Sequence, residues 1–272
     1  MAGQVSIVSI AFMVVSLLVS IAIPVVLFVY FRKKKRADIL PFFIGCAVMV
    51  LFAFVLEGGL NFAISRSALG DRLTQNVWAL AIYGGLMAGL FEETGRFLAF
   101  RTILKKYQYK DENALMYGAG HGGIEALAIL GIASINNIIY SLLINTGHTS
   151  ILTGPLSGDL LEQVEEAIQT LITTPSYQFL LGGLERILAV AMQISLSVLV
   201  WFAVKKKERR YLYPVAILLH CLIDAIVVLM SQGGVSPLLI EGVLAAETVV
   251  VAVFAWKTVL LTSRRIFQSP SA

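Results

Sequence analysis

Charge is scarce in this chain. Asp, Glu, Lys and Arg make up 14% of its 272 residues, against about a quarter in an ordinary soluble domain, which excludes a usual water-facing globular surface. Cysteine is scarcer still. Cys46 and Cys221 both fall inside apolar runs with no framework spacing, which excludes a disulfide scaffold and reads as two small packing residues. Short alternating segments are missing, so a porin-like barrel is excluded. Low-complexity stretches and a soluble second domain are missing as well. The formal net charge is +4, yet the basic residues sit in short clusters between apolar runs, so the sequence indicates no nucleic-acid partner and reads them as flanks of membrane spans.

What is present is hydrophobic length. Hydrophobic residues make up 58% of the chain, and several apolar runs exceed the roughly eighteen residues that mark a transmembrane helix. The expectation is an all-α polytopic membrane helix bundle. It forms one integral membrane domain over residues 1–272, with about seven spans near 4–30, 39–64, 76–100, 112–145, 177–204, 211–230 and 237–261. A short external amphipathic helix is expected near 157–174. There Leu160, Leu161, Val164, Ile168, Leu171 and Ile172 share a face, largely opposite Asp159, Glu162, Glu165 and Glu166. The fourth span is long, and the Gly131 to Asn137 region is expected either to bend it or to continue it above the bilayer. The basic end of the first segment lies after its apolar run, the reverse of a cleaved signal peptide.

Orientation follows from the basic residues. Of 21 Lys and Arg, 17 lie in four flanks: Arg32 to Arg36, Arg101 to Lys110, Lys205 to Arg210, and Lys257 with Arg264 and Arg265. Positive-inside bias then predicts an outside N-terminus and a cytoplasmic C-terminus in a multi-pass integral membrane protein.

Against this background three stretches stand out: Glu92-Glu93-Thr94-Gly95-Arg96, His121-Gly122-Gly123-Ile124-Glu125 and His220-Cys221-Leu222-Ile223-Asp224. Glu92 lies nine residues before Arg101, His121 nine after Glu112 and His220 ten after Arg210. At about 1.5 Å per residue that is roughly 14 Å, the middle of a core about 30 Å thick. Each charged residue at that depth costs about 2.5–3.5 kcal/mol on insertion scales. If ionised, Glu92, Glu93, Arg96, Glu125 and Asp224 sum to −3, and a divalent cation would offset most of it. His121 with Glu125, and His220 with Asp224, are four apart on one helix face, the spacing that zinc-binding helices use. Imidazole and carboxylate donors with one position left for water suit Zn2+. A metal-bound water attacks a carbonyl and needs a neighbouring base, for which Glu92 is the choice. Arg96 reaches Glu92 at i+4 or Glu93 at i+3, and spacing leaves that open.

At these residues the chain resembles the YhfC family of predicted intramembrane metalloproteases, grouped with PrsW-type proteases and more distantly with CAAX-prenyl endopeptidases and bacteriocin-processing membrane proteins. The resemblance implies that Glu92 is the general base, that His121, His220 and Asp224 surround the metal, and that Glu93 and Arg96 support them. Two residues rather than three separate Glu93 from Arg96, and the middle motif reads H-x-x-x-E. Both features lie nearer the PrsW and YhfC side. The substrate implied is a membrane-associated peptide or protein; oligomeric state is left open.

Bland readings stand beside these. The carboxylates could form a structural ion pair with Arg96, the histidines could be satisfied core residues or heme ligands, and Glu125 could hydrogen-bond His121 or a helix backbone. Glu185 and Arg186 echo the Glu-Arg pattern but read first as a structural pair. Glu57 reads as interfacial and His148 as solvated, while Glu247 could reach the cavity but is not assigned to the site. Two other functions compete: an ion- or proton-coupled transporter using protonatable carboxylates, and a non-catalytic membrane scaffold.

Overall fold

A computed structural model describes residues 3–266, with side chains through residue 259. Arg264 and Arg265, which close the last basic flank, lie outside the described side chains. The chain is helical throughout, with no strand among the described residues. Among the described residues, six helical stretches are long and apolar enough to cross a membrane: Ile7–Lys33, Leu40–Ser65, Glu112–Asn145, Ser176–Lys205, Lys207–Gln232 and Pro237–Val259. A seventh long helix, α5 (Val77–Arg101), is set apart by Glu92, Glu93 and Arg96 within it. The multi-span helical architecture is therefore as the apolar runs imply, and the span that looks least like one carries the charges.

The helices are otherwise α1 (Ile7–Lys33), α2 (Leu40–Met49), α3 (Gly58–Ser65), α4 (Ala68–Thr74), α6 (Glu112–Ala126), α7 (Ile132–Asn145), α8 (Ser150–Thr153), α9 (Asp159–Thr173), α10 (Ser176–Lys205), α11 (Leu212–Gln232) and α12 (Pro237–Ile266). Two π-helical segments interrupt long rods. Val50–Glu57 joins α2 to α3, and Leu127–Gly131 joins α6 to α7. Near Gly131 the regular α-helix gives way to a π-helical segment that begins four residues earlier, at Leu127. Such segments are uncommon and cluster at functional positions.

The chain divides into two compact units, Met1–Ile23 with Ala126–Arg186, and Pro24–Glu125 with Ile187–Ala272. In the first, α9 presents Ile168, Leu171 and Ile172 to Val5, Met13 and Ile144, while Glu162, Glu165 and Glu166 stay exposed. The amphipathic pattern of α9 is thus spent on packing within the protein. Asn145 ties the chain's start to the end of α7, accepting from Val5 N at 2.8 Å and donating to Val5 O at 2.9 Å.

The second unit holds the three charged stretches. Its centre is an aromatic and aliphatic core in which Phe100 meets Tyr117 and Trp201 edge-on, at ring centroid distances of 4.6 and 5.1 Å. Helix α5 starts at Asn76, whose side-chain oxygen accepts from the amides of Trp78 and Ala79, an N-cap that satisfies otherwise orphaned donors. It then packs on α11 through two glycines. A Cβ at Gly85 would collide with the Cys221 carbonyl, and one at Gly89 would stand 2.8 Å from the Ile217 carbonyl. Small residues that let backbones touch are the usual basis of helix pairing in lipid. Tyr213 of α11 closes the same seam, stacking on Phe97 at 4.5 Å and sharing a 2.8 Å hydrogen bond with Thr94.

The basic flanks meet at one end of this unit. Asn113 accepts from Asp38 N and donates to the Asp38 carboxylate, and Lys110 Nζ donates to Arg36 O at 2.6 Å. Asp111 accepts from Trp201 Nε1 at 2.9 Å and from Lys205 Nζ at 2.5 Å, and Arg209 donates to the Thr258 carbonyl of α12. Hydrogen bonds from Tyr109 and Asn113, with the charges of Lys110 and Arg32, outweigh partial burial and hold the Asp38 carboxyl below its ordinary pKa.

Candidate metal and catalytic centre

Glu92, Glu93, Arg96, His121 and His220 come together in the interior of the second unit. Glu93, Arg96 and His121 are fully buried, and Glu92 and His220 are each 6% exposed. Neighbouring carboxylates on α5 point about 100° apart, so they share Arg96 but hydrogen-bond different histidines. Glu93 Oε1 accepts from Arg96 Nη1 at 2.5 Å and from His220 Nδ1 at 2.8 Å. Glu92 Oε2 lies 2.9 Å from His121 Nε2 and 3.4 Å from Arg96 Nη2. Arg96 therefore pairs primarily at i+3, with Glu93, which settles the choice that spacing leaves open.

The bond from His220 Nδ1 to Glu93 has a chemical consequence. An imidazole that donates from Nδ1 to a carboxylate presents its Nε2 lone pair outward, the arrangement that orients histidine ligands of metals. His220 Nε2 faces Glu92 Oε1 at 4.0 Å and Asp224 Oδ2 at 3.5 Å. Asp224 is the open member, its side chain 39% exposed.

Gln193 of α10 is the residue that motif reasoning missed. Its Nε2 donates to Glu92 Oε2 at 3.0 Å and to Glu125 Oε2 at 2.7 Å, while its Oε1 accepts from Arg96 Nη2. Glu125, expected around the metal, is linked to Glu92 through this amide. The signal was a single long polar side chain inside the apolar run Leu188 to Val200. Gly122 lets α10 approach here, a Cβ on it standing 3.0 Å from Gln193 Cβ.

The other singled-out residues sort as follows. Glu185 pairs with adjacent Arg186 in the first unit. His148 is exposed and hydrogen-bonded to Thr146 at 3.1 Å. Cys46 donates its thiol to the Gly120 carbonyl, and both cysteines are free. Glu247 of α12 is within electrostatic reach of Asp224.

The kinds of donor here suit a divalent ion, with two imidazoles and several carboxylates. His121 Nδ1 is buried without a hydrogen-bond partner, so one nitrogen of that ring is unused by the protein. Two ligands of a tetrahedral zinc, each about 2.0–2.2 Å from it, stand roughly 3.4 Å apart, close to the His220–Asp224 separation. As the side chains stand, no three such groups among the described residues form a ready cage; Glu92 Oε2 is instead shared among His121, Gln193 and Arg96.

A helical multi-pass membrane protein with acids, imidazoles and a guanidinium gathered among its helices is the class that fold and centre define. The chain belongs to the YhfC intramembrane metalloprotease family, whose model matches residues 19–245. It is 36% identical over 262 residues to the Bacillus subtilis (strain 168) protein named "Uncharacterized membrane protein YhfC", covering 96% of this chain and 98% of that one. No solved structure matches it. Family and helices together make this an integral, multi-pass membrane protein.

Proposed function

We propose that the protein is a metal-dependent endopeptidase working inside the membrane on a membrane-associated peptide or protein, with Glu92 as its general base. The observation that carries this reading is the pair of linked contacts: Glu93 orients His220 through Nδ1, while the Glu92 carboxylate lies between His121 and His220. A structural ion pair with Arg96 would need one carboxylate and neither imidazole.

His121, His220 and Asp224 would hold the ion, with Zn2+ the metal that imidazole and carboxylate donors favour. A divalent cation bound there supplies Lewis acidity, activating water near neutral pH and polarising the scissile carbonyl. The chain's own part is proton handling and orientation. Glu92 takes the proton from the attacking water and returns it to the leaving amine. Arg96 and Gln193 fix the Glu92 carboxylate, and Arg96 also anchors Glu93, so His220 keeps one tautomer. Glu125 holds Gln193 from the far side.

The deciding comparison is between membranes containing the wild type and Glu92→Gln. New peptide termini in membrane proteins that depend on Glu92 are expected. If the two proteomes are identical while Glu92→Gln folds and preserves the cellular effect, the protein is a scaffold. Purified protein is expected to contain about one divalent ion per chain, removable by chelation; metal-free protein with undiminished ion flux across vesicles would instead mark a transporter.

A further inference from the structure

Polar residues continue outward from the centre along a line that the proposed chemistry does not use. Glu57 ends the π-helical segment Val50–Glu57, and Asn61 Nδ2 donates to Glu57 Oε1 at 3.2 Å. Tyr83 OH donates to Asn61 Oδ1 at 2.5 Å. All three are half-buried.

Helix register places this line. Gly95 of α5 lies against Phe52 and Val48, and Tyr83 meets Asn61, so the two rods run antiparallel and Glu57 falls opposite α5 near Gly89. Gly89 is also where α11 crosses, a Cβ on it standing 3.6 Å from His220 Cβ. Glu57 therefore lies about one turn beyond Glu92 along α5, level with His220. It is within electrostatic reach of Glu92, His220 and Asp224. Asn61 and Tyr83 sit one turn further from the basic flanks, on the side where Asp224 is open.

We propose that Glu57, Asn61 and Tyr83 line the passage by which water enters the centre from the end of α5 opposite the basic flanks. The inference rests on the peptidase reading, because each cleavage consumes a water molecule: the C–N bond breaks, the water oxygen joins the carbonyl carbon, and its hydrogens end on the new carboxyl and amine. A site walled by lipid and helices needs a wettable route for that molecule, and bulk apolar side chains supply none. A carboxylate backed by an amide and a phenol does. Polar residues that merely glue α3 to α5 would be sealed from water.

Thiol chemistry separates the two. In a Cys46→Ala/Cys221→Ala background, Asn61→Cys and Leu60→Cys are treated, in sealed vesicles without substrate, with a charged, membrane-impermeant maleimide. Maleimide reacts through the thiolate, which forms only where water reaches, so Asn61→Cys is expected to react at least about tenfold faster than Leu60→Cys. Glu57→Cys is expected to react as well, though it lies deeper. Equal rates at 60 and 61, with both thiols fully reactive after denaturation, would overturn the passage. Because no cleavage is measured, a failure of the peptidase reading in the Glu92→Gln comparison is a separate result.

Discussion

At the residue scale, the proposed chemistry divides the centre into groups that would react and groups that would hold them. Glu93 belongs to the second kind, since its contacts are Arg96 and the Nδ1 side of His220. Removing a carboxylate that orients a ligating histidine typically costs 10–100-fold in metal affinity. Glu93→Gln is therefore expected to weaken metal binding by about that factor, measured by chelator competition on folded protein, whereas Glu92→Gln is expected to keep its metal and lose about 10²–10⁴ in cleavage rate. The reverse assignment, metal lost from Glu92→Gln and retained by Glu93→Gln, would exchange the two roles. Gln193→Met, which keeps the volume but removes the amide, is expected to lower kcat by about 10–100-fold with KM little changed, as befits a group that touches Glu92 and Arg96 rather than substrate. The acids and histidines were legible in the sequence because a charge inside an apolar run is too costly to be incidental. Gln193 was not, because a neutral amide carries a much smaller penalty and so stands out less.

At the scale of elements, the centre depends on how closely α5 and α11 approach. Gly85→Leu would drive a side chain into the Cys221 carbonyl, one residue from His220, and overpacking of this kind typically costs 1–3 kcal/mol. A lowered Tm in detergent and loss of metal binding are expected together. Gly84→Ala is the control: nothing stands within 4 Å of a Cβ there, so the thermal midpoint is expected to hold or rise slightly, alanine being favoured over glycine in a helix. If both variants behave alike, the glycine seam is not what sets the spacing. The loops contribute a pH dependence. Asp38 has a depressed pKa in the folded protein, so its stabilisation is present above the unfolded value of about 3.9. It is lost as pH falls through the lower folded value. Wild type is expected to lose thermal stability more steeply than Asp38→Asn below about pH 4, as read by Tm against pH. Most element boundaries were readable from apolar length and basic flanks. The π-helical segments were not, because they are a choice of hydrogen-bond register made by tertiary packing. The register that sets Glu57 beside α5 was not readable either, because one sequence carries no information on how two rods line up.

For the whole molecule, three connections and the later part of α12, which the sequence scatters over more than two hundred residues, converge at one end of the second unit, bound by Asp38–Asn113, Lys110–Arg36, Asp111–Lys205 and Arg209–Thr258 contacts. Positive-inside bias acts on each flank separately, so a fold that brings the flanks to one end gives all of them the same preferred side. An arrangement with one flank reversed would leave a basic cluster on the wrong face and break these bonds. We therefore expect the basic end to be cytoplasmic and the α3–α4 turn, with Ser67 between those helices, to face outward. In the cysteine-free background, Ser67→Cys is expected to react with an impermeant maleimide on intact cells, and Lys106→Cys only after permeabilisation. Labelling of Lys106→Cys on intact cells would invert the protein. It would also move the mouth of the water passage to the cytoplasmic face, since Tyr83 and Asn61 lie toward the Ser67 end of α5 and the basic flank lies at the other.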